Sequence, residues 1–382
     1  MKKICIVTTI PGTLKSFVLP TAQRLYERCG YDITLVSSYD EGFANALPEY
    51  IHYYPIDMKR GISLSGFKAI SKFKKFFKKE QFDLVQYSTP NAAFYASIGA
   101  KKAKVPIRLY AQWGIRYVGL SGLSRKIFKF LEKIVCKNST HIRSVSPKNR
   151  EFAISEGLCS ADKIKVIGRG GTIGVSVAEY DISKKAEWRK AIREQYGIKE
   201  NDFVYGFVGR FSTDKGCKEL LLAFKELLQE KPDAKLMIMG ANEAKSESLI
   251  ELVEWAKSCE SIIMTGRIEK PRMKEYYSAL DLLVHPTYRE GFGMVIQEAG
   301  ALAVPTITTR IPGASEVMIE NESCMLVDAK STEQLKTAML ELIENKDKLT
   351  RLGEGAYQMI CDYYQREKML DNLQADYEEL LK

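Results

Sequence analysis

No apolar stretch in the 382 residues approaches the ~20 that a bilayer-spanning helix needs, so no membrane span is expected. Histidine is scarce. His52, His141 and His285 are the only three, which argues against a multi-histidine metal centre. The eight cysteines (Cys5, Cys29, Cys136, Cys159, Cys217, Cys259, Cys324, Cys361) include no C-x-x-C pair. That argues against a zinc site and against a disulfide framework, and it suits a reducing cytoplasm. At the N-terminus two lysines precede a short apolar stretch, Ile4–Val7, which Pro11, Gly12 and Lys15 soon interrupt. A buried first strand is expected there rather than a signal peptide. Low-complexity tracts and solenoid repeats are lacking. So are an RNP aromatic signature, a zinc finger and a helix-turn-helix, and nucleic acid is therefore not expected as a partner.

What is present is an ordinary globular composition, with 45% hydrophobic and 27% charged residues, in a chain long enough for two domains. The net charge of +9 is unevenly spread: residues 1–200 carry +18 and residues 201–382 carry −9. A basic half implies an anionic partner such as a phosphate, a nucleic acid or a membrane surface.

Short β-branched runs alternate with helical patterns. In the first half the expected strands are Lys3–Thr9, Ile33–Ser37, Leu84–Tyr87, Ile107–Tyr110, Ile142–Val145 and Ile164–Ile167. The second half restarts with Val204–Val208, Lys235–Met239, Ile262–Met264, Leu282–Val284, Thr306–Thr308 and Met325–Val327. Alternation of this kind predicts an α/β fold of two Rossmann-like domains, each a parallel sheet covered by helices. The boundary is expected within the polar stretch Arg193–Asp202, giving domains 1–195 and 203–362, and a charged helix is expected over 363–382. Ligands of such sheets bind beyond the carboxyl ends of the strands, so the expected site is a cleft between the two sheets.

Two motifs fall at strand ends. In the first, the strand ends at Gly209, Arg210 and Lys215 follow, and Gly216 opens a helix over Cys217–Gln229. Two fixed cations beside a helix start suit a diphosphate; the alternative is a solvated basic loop. The second runs from His285 through Glu290, Gly291, Phe292 and Gly293 to Glu298, with a helix starting near Gly293. The glycines permit close backbone approach to a ligand, and a carboxylate accepts paired hydrogen bonds from vicinal hydroxyls of a sugar or ribose. Alternatively, Glu298 is a solvated helix residue and Glu290 a capping carboxylate. His285, at a strand end, is read as a packed structural residue.

Together the two motifs carry a resemblance. The G-R-x4-K-G loop, the E-x7-E segment with its E-G-F-G-M and Q-E-A, and Gly266-Arg267 after the third strand resemble the retaining glycosyltransferases of family four. The likeness is to bacterial enzymes building capsule, exopolysaccharide or O-antigen on polyprenyl-diphosphate-linked acceptors. It extends over essentially the whole chain and implies the GT-B fold, with two sheets facing across a cleft and a C-terminal helix crossing back to the first domain. It implies that Arg210 and Lys215 hold the donor diphosphate, Glu298 the ribose and Glu290 the donor sugar. Gly12, Gly209 and the backbone of Phe292, Gly293, Met294 and Val295 would serve sugar and phosphates, with Arg267 and Ile268 beside the base. Glu290, Arg210 and Lys215 would be the catalytic set. No cofactor or metal is expected; the D-x-D triplet of metal-dependent GT-A enzymes is lacking. The donor would be a nucleotide diphosphate sugar, most simply a UDP-sugar.

The first half resembles the family more loosely. Ser88-Thr89-Pro90-Asn91 is similar to its T-P-K segment, Gln112–Tyr117 to R-G-x-R-Y, and Gly168–Ser176 to G-S-x-x-G-V-D, with Ser176 where Asp is usual. Thr89, Pro90, Arg116, Arg169 and Gly170 are thereby acceptor-side candidates. The segment Lys59–Lys79 has eight Lys/Arg and no acid. On a helix, Phe67, Ile70, Phe73 and Phe77 form one stripe and Lys68, Lys72, Lys75 and Lys79 another face. Basic residues continue at Arg125, Lys126, Lys129 and Lys133. This predicts phenylalanines turned inward and lysines turned to solvent or to the anionic inner face of the cytoplasmic membrane, a peripheral placement that suits a lipid-linked acceptor. Two alternatives are a GT-B sugar-nucleotide epimerase or phosphorylase, and a non-catalytic glycosyltransferase-like partner subunit.

Overall fold

The computed structural model describes residues 1–58 and 64–382 and, in the helix Leu64–Glu80, every side chain except those of residues 64, 65 and 67. Lys59 and Arg60 of the basic segment, and the Phe67 side chain of its apolar stripe, thus lie outside the described residues. The chain forms two compact units, Met1–Ile173 with Glu367–Lys382, and Gly174–Arg366.

In the first unit, among the described residues, seven parallel strands form one sheet: β1 (Lys3–Val7), β2 (Asp32–Val36), β3 (Ile51–Tyr53), β4 (Leu84–Tyr87), β5 (Ile107–Gln112), β6 (His141–Ser144) and β7 (Ile164–Val166). Their order is 3-2-1-4-5-6-7. The near-continuous burial of β1, β2 and β4 follows from helices covering both faces of the sheet. One face packs Phe73, Phe77, Tyr95 and Val135 of the helices Leu64–Glu80, Pro90–Ala103 and Gly122–Asn138. The other packs Leu14, Leu25, Tyr377 and Leu381. Each fully buried aliphatic or aromatic side chain contributes roughly 1.5–3 kcal/mol. Only β3 was not expected: it is a three-residue edge strand with a single buried side chain, Ile51, so it carries no periodic signal.

The second unit repeats the plan with β8 (Val204–Val208), β9 (Lys235–Met239), β10 (Ile262–Gly266), β11 (Leu282–His285), β12 (Thr306–Thr309) and β13 (Cys324–Val327), in the order 10-9-8-11-12-13. In both sheets the order reverses once, between β1 and β4 and between β8 and β11. Those reversal points are where an open parallel sheet leaves a crevice at its carboxyl edge.

The junction lies at Ile173–Gly174 rather than within 193–202. The helix Lys185–Gln195, expected at the end of the first domain, packs on the helix Met273–Ala279 of the second unit. Arg189 and Arg193 there donate to the Asp281 carboxylate at 2.6 and 2.7 Å. At the other end, residues 363–366 stay with the second unit: Val175 donates to the Tyr364 carbonyl at 2.8 Å and Arg366 to the Val175 carbonyl at 2.9 Å. The final helix, Arg366–Leu380, begins after a π turn over Ile360–Tyr364 and an extended Gln365.

Candidate active site at the reversal point of the second sheet

The loops after β8 and β11 meet because glycine lets them. Gly216 has φ +70°, and a Cβ there would stand 1.9 Å from the Pro286 carbonyl oxygen. The Tyr288 amide donates to the Asp214 carbonyl at 3.0 Å, joining the two loops. Gly209, at φ +146°, has its carbonyl 1.8 Å from where a Cβ of Gly240 would sit. The chain following β8 is thereby laid against that following β9, with Phe211 donating to the Ala241 carbonyl at 2.8 Å.

This closeness brings Lys215 to Glu290. The ammonium lies 2.8 Å from Glu290 Oε2, and His285 Nε2 lies 3.1 Å from the same oxygen. Glu290 Oε1 accepts from the Gly291 amide at 3.0 Å. Burial alone would raise the Glu290 carboxyl, but the His285 hydrogen bond and the Lys215 charge outweigh it and hold the group well below the ordinary carboxylate range. His285 is 1% exposed, and burial lowers its imidazole. With the ring neutral, Nε2–H donates to Glu290, and Nδ1 is left buried without a hydrogen-bond partner among the described residues. His285 is therefore packed, as read from sequence, and it also orients Glu290, which the sequence did not indicate.

Arg210 is half-exposed and already engaged. It donates to Glu243 at 2.9 Å and lies 3.5 Å from Asp214, which also accepts from Arg289 at 2.9 Å. The first motif is thus a small network of alternating charge rather than two isolated cations. An anion binding there competes with Glu243 and Glu290 for the two cations.

Glu298 sits in the helix Met294–Gly300, which starts from Gly293 at φ +39°. Its carboxylate accepts from the Tyr277 hydroxyl at 2.9 Å and is also hydrogen-bonded to Tyr180. Burial raises this carboxyl, against the opposing effect of Tyr277. Neither tyrosine was signalled by the sequence, since both lie on other elements. Phe292 is buried edge-on against Tyr364 at 5.5 Å, while Met294 and Val295 are half-buried. Gly313, at φ +85°, passes so close that a Cβ would stand 2.4 Å from the Gly291 carbonyl oxygen. Arg267, exposed, and Ile268, half-buried, follow β10, which β9 and β8 separate from β11.

The first unit has its own crevice at the β1–β4 reversal. Thr89 holds φ +64° and ψ +141°, a costly conformation for a β-branched residue. Its hydroxyl accepts from the Thr9 amide at 3.1 Å and lies 2.8 Å from the Thr9 hydroxyl. Pro90 then begins the helix Pro90–Ala103. Gly12 is exposed in the first turn of the helix Pro11–Phe17. Arg116 stacks on the Phe128 ring at 4.2 Å. Arg169 is exposed and Gly170, at φ +102°, is buried, both beyond β7. Thus Thr89, Pro90 and Gly12 share the β1–β4 end of the sheet, whereas Arg169 and Gly170 follow its last strand.

Among the described residues, no group of three or more His, Cys, Asp or Glu side chains is arranged to hold a metal ion, and no helix is long and apolar enough to cross a membrane.

Comparison with known proteins agrees with this layout. Residues 189–359 match the family described as Glycosyl transferases group 1, and residues 3–146 match Glycosyl transferase 4-like. The chain is 28% identical over 353 residues to the capsular polysaccharide biosynthesis glycosyltransferase CapM of Staphylococcus aureus, covering 92% of this chain and 90% of that one. It is 23% identical over 326 residues to the UDP-Gal:alpha-D-GlcNAc-diphosphoundecaprenol alpha-1,3-galactosyltransferase of Escherichia coli, covering 83% and 81% of the two chains. Among solved structures, HepE of Anabaena in complex with UDP and glucose superposes with a TM-score of 0.80 at 18% identity, over 99% of this chain and 100% of that one. At that identity the likeness speaks for the fold.

Proposed function

Since the chain belongs to the glycosyltransferases, GT-B in fold, with a group 1 second unit and a 4-like first unit, we propose that it transfers a sugar from a nucleotide diphosphate sugar to a lipid-linked saccharide. The donor is a UDP-sugar, the acceptor a polyprenyl-diphosphate-linked saccharide, and the setting bacterial surface polysaccharide synthesis at the cytoplasmic membrane face. The observation that carries this reading is the Lys215–Glu290–His285 constellation at the β8–β11 reversal. It sets a fixed cation and a fixed, ionised carboxylate side by side where a sugar phosphate would lie. The relatives' printed names, a capsular polysaccharide enzyme and a galactosyltransferase of a diphosphoundecaprenol-linked sugar, support the acceptor class.

In this reading Lys215 and Arg210 stabilise the charge that develops on the leaving nucleoside diphosphate, an effect worth more in a water-poor crevice than in bulk solvent. Glu290 accepts from donor-sugar hydroxyls and stabilises positive charge at the anomeric carbon. Glu298, held by Tyr277, accepts from the ribose. The bond from the anomeric carbon to the phosphate oxygen breaks, and a bond to the acceptor oxygen forms on the same face. The acceptor proton passes to the leaving phosphate, so the anomeric configuration is retained and no protein base is assigned. No metal or cofactor takes part.

The test is turnover of a panel of UDP-, GDP- and ADP-sugars in EDTA, with and without a polyprenyl-diphosphate-linked sugar. Acceptor-dependent release of UDP, lost in Arg210→Ala and Glu290→Ala, is the expected result. Conversion of the donor without acceptor would instead indicate an epimerase, and absence of any nucleotide-sugar reaction a non-catalytic subunit.

A further inference from the structure

The helix Gly122–Asn138 has two unlike faces. Phe128, Leu131, Glu132, Val135 and Cys136 turn toward the first unit, where Glu132, 6% exposed, accepts from the Tyr110 hydroxyl and the Gln112 amide at 2.8 Å each. The opposite face carries Leu123, Ile127 and Phe130, exposed to 73, 41 and 63%. Their spacing of i, i+4 and i+7 sets them in one row. Lys126, Lys133 and Lys137, all exposed, border that row, and Glu132, on the buried side, is the helix's only acid. Val118, just before the helix, is 42% exposed, so four of the eleven exposed large apolar side chains among the described residues fall within 118–130. Single exposed apolar residues are ordinary; a row of them edged by unopposed cations is not.

The fold does not need this second face. Its core contacts are made by the first, and Arg125 and Lys129 are already paired with Glu156, at 3.4 and 2.7 Å. The same layer of helices is basic elsewhere. The helices Leu64–Glu80, Pro90–Ala103 and Gly122–Asn138 pack side by side. The first of them presents Lys72, Lys75 and Lys79 around a groove of about 260 Å³ beside Tyr54.

We propose that the outer face of the helix Gly122–Asn138 is an interfacial membrane-binding element. Leu123, Ile127 and Phe130 enter the headgroup–acyl boundary of an anionic bilayer, and Lys126, Lys133 and Lys137 pair with lipid phosphates. The occupant is a lipid surface rather than a protein groove because the apolar row is narrow and convex and its border is of one charge, the pattern that suits anionic headgroups over a hydrocarbon edge. This deepens the membrane part of the proposed function and rests on it: a lipid-linked acceptor reaches the first unit without leaving the bilayer.

The experiment is flotation of the full chain with phosphatidylglycerol-containing vesicles and with phosphatidylcholine vesicles, across a salt series. Preferential binding to the anionic vesicles is expected. Leu123→Ser/Ile127→Ser/Phe130→Ser should weaken it at least about tenfold at every salt concentration. Lys126→Ser/Lys133→Ser/Lys137→Ser should weaken it about tenfold or more at low salt and flatten the salt dependence. Thermal melts and UDP-sugar binding should stay as in the parent, which keeps misfolding, and failure of the donor reading, separate from failure of this one. Vesicle binding unchanged in the apolar triple variant would overturn the proposal. So would absence of binding to anionic vesicles, or a dimer in sedimentation velocity that the triple variant dissolves, since the face would then be covered by a second copy.

Discussion

Glu290 accepts from a buried imidazole, a lysine and its neighbour's amide, and it is the residue on which the site's electrostatics converge. Its depressed carboxyl makes a stability prediction with a definite sign. A carboxyl whose folded value lies below its unfolded one stabilises fully above about pH 4.3, and this contribution is lost as pH falls from there toward the folded value. The melting-temperature advantage of the parent over Glu290→Gln should therefore be greatest near neutrality and shrink below about pH 4. An advantage that does not change with pH would count against the pair. Thr89 allows a second test. Thr89→Ala removes the hydrogen bond to the Thr9 amide but keeps a Cβ at φ +64°, whereas Thr89→Gly removes the bond and relieves the backbone. Chemical denaturation should rank the parent highest, with alanine roughly 1 kcal/mol below glycine. At this scale the sequence was informative where chemistry and spacing coincide, as for Lys215, Glu290 and Glu298. It was silent on Tyr277 and Tyr180, which reach Glu298 only through the fold, and on Glu243 and Arg289, which occupy the charges around Arg210.

Among the elements, the loops after β8 and β11 set the site because they touch through Gly216. Gly216→Ala combines a left-handed backbone with a Cβ driven onto the Pro286 carbonyl. We predict a loss of about 3 kcal/mol or more in equilibrium unfolding and a large drop in UDP-sugar affinity, since Lys215 is displaced with the loop. Retained affinity would mean that the loop contact does not position Lys215. The strands were legible from sequence because a parallel strand buried on both faces is a short β-branched run between turn residues, as in Val204–Val208 and Lys235–Met239. β3 was not, having too few residues to show a period. The junction was misplaced because the polar stretch 193–202 has the composition of a linker, yet Arg193 is buried against Asp281 and the carbonyl of Ala279. Only three-dimensional packing reveals that.

For the molecule as a whole, the chain's return to its first unit rests on long-range contacts. Asp376 accepts from Arg143 Nε at 2.9 Å across 233 residues of sequence, and the Arg143 guanidinium lies over the Tyr377 ring at 4.7 Å. Both partners are buried. Asp376→Ala should therefore destabilise the first unit by about 3–5 kcal/mol by stranding a buried guanidinium. Hydrogen exchange in β4, β5 and β6 is the readout, with β8 and β11 as the internal control; equal protection throughout would show that the pair carries little. The division of charge, +18 in residues 1–200 and −9 in 201–382, is consistent with a first half turned to an anionic surface. The central claim concerns the crevice at β8 and β11, and calorimetric titration of UDP and a UDP-sugar into the parent, Lys215→Ala and Glu290→Gln tests it most directly. Lys215→Ala should weaken both ligands roughly ten- to hundredfold. Glu290→Gln should weaken only the UDP-sugar and leave UDP equal or tighter, because the lysine loses a competing carboxylate. Affinities for both ligands unchanged in both variants would contradict the account.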